Sequence, residues 1–117
     1  MTRLILALTA TLLASPAAAH ALLKTSTPAA GSTVAAAPAE VTITFTEAVE
    51  PSFSKLVVQD ASGASVNDGP IHRAGTDSYQ LAAPLKKIGA GTYKVIWHAV
   101  SVDTHKTSGA FTFTVTP

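Results

Sequence analysis

At 117 residues, with 47% hydrophobic and only 13% charged side chains, the chain suffices for one compact domain around a single core and not for two. Eight Lys and Arg stand against seven Asp and Glu, which leaves no electrostatic surplus for gripping a phosphate backbone or an anionic bilayer and argues against nucleic acid as a partner. Cysteine is absent, so disulfides, thiolate metal sites and thiol chemistry are excluded together.

Taken in chain order, the first element is a leader. Met1, Thr2 and Arg3 open with a positive charge, Leu4 to Leu13 is apolar, and Ala14 to Ala19 supplies small residues. This is the pattern of a secretory signal peptide over residues 1–19, with Ala17 and Ala19 at the positions a signal peptidase reads. The apolar run is shorter than the ~20 residues that span a bilayer, so a membrane anchor is not expected. Cleavage after Ala19 makes His20 the first residue of an exported domain, residues 20–117; cuts after Ala17 or Ala18 satisfy the same rule. Met1 is the only methionine, so the processed domain offers a metal no sulfur ligand of any kind. Loss of Arg3 also brings its formal charge into balance.

The opening HALLKTS reads as a short edge strand, followed by a turn at Pro28 to Gly31 and an Ala-rich connection through Pro38. Val41, Ile43 and Phe45 then alternate with Thr42, Thr44 and Thr46, the period of a half-buried strand, and Pro51 ends the pairing. Ser54 to Gln59 is a further strand, closed by turn chemistry at Asp60 to Gly63. Between Asn67 and Asp77, Gly69, Pro70 and Gly75 predict loop, with Ile71 to Arg73 pairing at most briefly. Ser78 to Ala82 and Leu85 to Lys87 are short strands separated by Pro84.

Thr92 to Val100 is the strongest strand, with Tyr93, Val95, Trp97 and Ala99 on one face. After a polar loop, Phe111, Phe113 and Val115 alternate with threonines. Trp97 and Tyr93 are expected in the core, opposed by Phe111 and Phe113. No helical periodicity persists beyond a turn. About seven short strands at turn spacings near ten residues predict an all-β, immunoglobulin-like Greek-key sandwich or barrel.

With neither Cys nor a retained Met, only nitrogen and oxygen remain as ligands. Asp103 and His105 are spaced i, i+2, so in extended or loosely looped backbone their side chains project the same way and can meet one ion. The plainer reading is a solvated turn at a hairpin end. His20, as a free first residue, offers its α-amino group and its imidazole to one metal. Together with Asp103 and His105 this is a set of three nitrogens and one oxygen, which suits Cu(II); the plainer reading of His20 is an unremarkable chain terminus. His98 points away from Trp97 and faces solvent, supports the loop or serves as an extra ligand. Glu47 stands at a strand end, either as an exposed cap or as an outer hydrogen-bond acceptor for the site. His72, beside Arg73 in the Gly- and Pro-rich loop, is expected exposed and idle. There is no G-x-S-x-G, phosphate loop, H-E-x-x-H or C-x-x-C.

The start HALLKTSTPAAG, the segment FTEAVEP and the final block YKVIWHAVSVDTHKTSGAFTFTV together resemble the CopC family of periplasmic copper-resistance proteins, over essentially the whole exported domain. The resemblance implies a Greek-key β-barrel that binds Cu(II), one per chain, through His20, Asp103 and His105. Some members carry a Met-rich loop for Cu(I); this chain departs there and is expected to lack that site. It departs also at Thr104, where the family usually has Gly, at Lys106, where Pro is common, and at His98, where Arg or another polar residue is frequent. The resemblance further implies a CopD-like membrane transporter as partner. The expectation is therefore a monomeric, non-catalytic periplasmic carrier for copper homeostasis or resistance. The alternatives are a structural immunoglobulin-like module and a copper-dependent redox enzyme.

Overall fold

A computed structural model describes residues 21–117. The leader read at residues 1–19 and His20 lie outside them. Seven strands and one 3₁₀ turn make up the regular structure: β1 (Leu23–Thr27), β2 (Thr33–Val34), β3 (Glu40–Phe45), the turn Pro51–Phe53, β4 (Lys55–Gln59), β5 (Gln80–Pro84), β6 (Gly91–Val100) and β7 (Lys106–Val115). They form two sheets, one of order β1-β3-β5 and one of order β2-β7-β6-β4. All pairings are antiparallel except β2 with β7. The protein is an immunoglobulin-like Greek-key sandwich, as the alternating strand pattern predicts.

The two inner faces supply the core. Val41, Ile43 and Phe45 come from β3, Leu81 and Ala83 from β5, Leu56 and Val58 from β4, and Tyr93, Val95, Trp97 and Ala99 from β6. Burying each of the larger apolar side chains contributes about 1.5–3 kcal/mol relative to exposure. Phe45 meets Trp97 edge-on across the sandwich at 5.2 Å and 71°, while Tyr93 stacks on Phe113 at 5.4 Å. Trp97 therefore packs against the opposite sheet, and Phe111 is partly buried against the same core. Its indole lies flat over Gly109, its register partner, where an added Cβ would come within 2.6 Å of the ring.

Three local differences from the sequence reading have simple causes. The Ala-rich connection contains β2, because the amides of Gly31 and Thr114 bond to the carbonyls of Thr112 and Ser32 and draw the segment onto β7. Pro84 is the last residue of one strand rather than a divider of two, a position where its missing N–H removes no interior ladder bond. Leu85 then forms only an isolated bridge to Asn67. Finally, β7 begins at Lys106, well before the aromatic alternation, so the ladder from β6 runs unbroken from Gly91–Val115 to Val100–Lys106. This long hairpin carries the Asp103–His105 loop at its tip.

Candidate metal centre

The tip is a three-residue loop, Val102 to Thr104, between Ser101 and His105. Ser101 donates its amide to the His105 carbonyl at 3.0 Å, and Thr104 donates back to the Ser101 carbonyl at 2.9 Å. Such a loop needs a left-handed residue after its turn, and Thr104 fills that position at φ 72°. Gly is the usual occupant, because a β-branched side chain is strained there.

Ser101 is the hub of the loop. It is 1% exposed, its hydroxyl donates to Asp103 Oδ1, and the same oxygen accepts the His105 amide at 3.2 Å. With Oδ1 so held, Asp103 Oδ2 faces His105 Nδ1 at 3.1 Å. The Ser101 hydroxyl first, and then the His105 ring, holds the Asp103 carboxyl below the usual carboxylate range. An imidazole donating from Nδ1 to a carboxylate presents its lone pair at Nε2. Both side chains are nearly half exposed, at 44% and 47%, so the pair opens to solvent while Ser101, which supports it, is buried.

Two other segments converge on this tip. Val49 bridges Ser101, Val102 donates to the Ala48 carbonyl at 3.1 Å, and Glu50 donates to the Val100 carbonyl at 2.8 Å. Arg73 secures that segment by donating to the Val49 carbonyl at 3.0 Å. The second is the start of the described chain. Ala21 is fully buried and its carbonyl accepts the hydroxyl of Thr107, two residues beyond His105. Thr46 donates its amide to the Leu22 carbonyl at 2.8 Å, and its hydroxyl oxygen accepts the Leu22 amide at 3.0 Å.

The structure thus brings Asp103 and His105 together. Glu47 is partly buried in the bend next to Ala48, whose carbonyl accepts the Val102 amide of the tip. His98 is placed elsewhere, on the outer face of β6 between Lys55 and Ser108. His72 is not idle: it bridges Ala82 and approaches Glu40 at 3.8 Å. Among the described residues no three His, Cys, Asp or Glu side chains gather as a metal cluster, and His20 is outside those residues. Ser101 is the residue that spacing alone did not single out, because its hydroxyl meets Asp103 and the His105 amide only once the loop curls.

Comparison with known proteins identifies the family of the whole domain. The CopC domain family model matches residues 23–116. The chain is 42% identical over 115 residues to Protein YobA of Escherichia coli (strain K12), covering 97% of this chain and 93% of that protein. Among solved structures, CopC from Methylosinus trichosporium OB3b superposes with a TM-score of 0.78 at 30% identity, over 84% of this chain and 95% of that one. PcoC, described as a methionine-rich copper resistance protein from Escherichia coli, gives a TM-score of 0.72 at 35% identity, over 83% and 99%. Family model, sequence relative and three-dimensional neighbours coincide over the whole sandwich, and the chain belongs to the CopC family.

Proposed function

We infer that this protein is a non-catalytic copper carrier that holds one Cu(II) per chain at the tip of the β6–β7 hairpin. The ligands in this reading are the α-amine and imidazole of His20, exposed by signal-peptide cleavage after Ala19, together with Asp103 and His105. The observation that carries it is the convergence at the tip: the Asp103–His105 pair, fixed by Ser101, lies beside Ala21, whose carbonyl is held by Thr107. The residue before Ala21 is His20. Nitrogen-rich donors with one carboxylate suit Cu(II), and the name of PcoC attaches copper resistance to a structural neighbour of this chain. The absence of methionine after Met1 removes the soft ligands that Cu(I) prefers. Export places the carrier in the periplasm, where a CopD-like transporter is the natural recipient of its ion.

The amine and both imidazoles must be deprotonated to bind. Affinity is therefore expected to weaken below the amine's ~8 and to fall further through the imidazole range near ~6.5. The test is a Cu(II) titration followed by EPR on protein beginning at His20, on protein retaining one residue before it, and on His20→Ala and His105→Ala. Strong binding by the first alone, with nitrogen hyperfine structure lost in both variants, supports the reading. Equal, weak binding by all four overturns it in favour of a structural module, and sustained ascorbate-driven oxygen consumption by the loaded protein overturns the non-catalytic part.

A further inference from the structure

The outer face of the larger sheet is charged in one sense only. The strand pairings set Lys55 beside His98 and Ser108, Val57 beside Ile96 and Ala110, and Gln59 beside Lys94 and Thr112, with Lys106 next to Val100 at the tip end. No Asp or Glu occurs anywhere in β4, β6 or β7. The carboxylates of residues 21–117 sit at the start of β3 and in the connections instead. A protein whose formal charges nearly cancel has thus gathered three of its lysines on one sheet face, around a central apolar stripe. Among the described residues, no carboxylate lies within ion-pair distance of Lys55, Lys94 or Lys106, the ion pairs there involving His72, Arg73 and His105.

The end of this face nearest the hairpin tip is also concave. A hollow of about 360 Å³ is lined by Phe53, Lys55, His98, Val100 and Lys106 among others. Phe53 follows Pro51 in the 3₁₀ turn and stands 72% exposed, a large aromatic held in water by a rigid turn. Exposed aromatics ringed by cations are the anchor type of protein interfaces. Lys106 joins the hollow directly to His105.

We propose that this face, from Phe53 and Lys55 across His98 to Lys106, docks an acidic segment of a partner protein beside the hairpin tip. Unopposed lysines steer and orient a carboxylate-bearing chain, while Phe53 and the Val57–Ile96 stripe take its apolar side chains. A lipid surface is the poorer occupant, because few cations and a nearly neutral whole give little hold on an anionic leaflet. The proposal concerns a surface and stands whether or not the copper assignment holds, so it is tested on metal-free protein.

The probe is a synthetic peptide alternating aspartate with leucine, titrated into labelled protein with amide chemical shifts as readout. A peptide alternating lysine with leucine and vesicles containing phosphatidylglycerol are the comparisons. The expected result is saturable shifts confined to β4, the outer residues of β6 and the start of β7, weakening as ionic strength rises. The double variant Lys55→Glu/Lys106→Glu is expected to weaken peptide binding at least about tenfold, with Phe53→Ser reducing it and Lys86→Glu, outside the face, leaving it unchanged. Retained Trp97 emission shows that the variants fold. Shifts elsewhere, equal binding of the lysine peptide, indifference to the charge reversal, or binding of vesicles without binding of the acidic peptide would each overturn the proposal.

Discussion

Thr104 holds the one non-Gly positive φ, 72°, among the described residues, and strain of this kind costs on the order of 1–3 kcal/mol. Its hydroxyl bond to the Asp103 carbonyl offsets part of that. Thr104→Gly is therefore expected to raise stability by about 1 kcal/mol, read as a higher urea midpoint by Trp97 fluorescence; an unchanged or lower midpoint would show that the loop carries no strain. Ser101→Ala is expected to act on Asp103 instead. Without the hydroxyl the carboxyl pKa moves up toward its ordinary value, which a carboxyl-carbon NMR titration measures. A carboxyl that titrates as before would remove Ser101 from its place as the hub. Asp103 and His105 were legible in the sequence because D-x-H is a chemical pattern. Ser101 was not, because its role depends on the loop curling so that one buried hydroxyl meets both neighbours.

At the scale of strands, the alternation of apolar residues with threonine located β3 and the second half of β7, and the apolar face of Tyr93, Val95, Trp97 and Ala99 located β6, because period-2 burial is written directly into sequence. It did not reveal β2 or the first half of β7. There Thr107, Ser108, Gly109 and Ala110 lack bulky apolar groups, and pairing with the strong β6 ladder decides their conformation. Gly109 shows what such a residue does, since its missing side chain is the seat of the Trp97 indole. Gly109→Ala is expected to destabilise by about 1–3 kcal/mol through overpacking, with a shifted Trp97 emission maximum as the indole is displaced. A neutral effect would mean that the ring relocates at no cost. The copper ligands of the proposed site would be disturbed only indirectly, since Gly109 lies two rungs below Thr107 on the same strand face.

Across the molecule, two carboxyls bind protons more weakly in the fold than in the unfolded chain. Asp60 is held low first by the Ser62 hydroxyl and then by backbone amides of its turn, and Asp103 by Ser101 and His105. A depressed folded pKa means the unfolded chain takes up protons first as pH falls. The stability these groups contribute is thus complete above the ordinary carboxylate value near ~4 and is lost as pH drops through their lower folded values. Urea midpoints measured downward from neutral pH are expected to decline in that window, with a shallower decline in Asp60→Asn and Asp103→Asn. A decline already complete well above pH ~5 would point to other groups.

The long hairpin has one more consequence. Near its tip Thr107 holds the carbonyl of Ala21, the first described residue, while its open end pairs Gly91 with Val115, about 30 Å away at the usual rise of a strand. A fluorescent label or purification handle appended behind Pro117 is consequently remote from Asp103 and His105, whereas the same handle placed ahead of Ala21 lies on their side of the hairpin. Positions behind Pro117 and ahead of Ala21 are therefore not interchangeable points of attachment, and assays on differently tagged preparations should disagree for that reason.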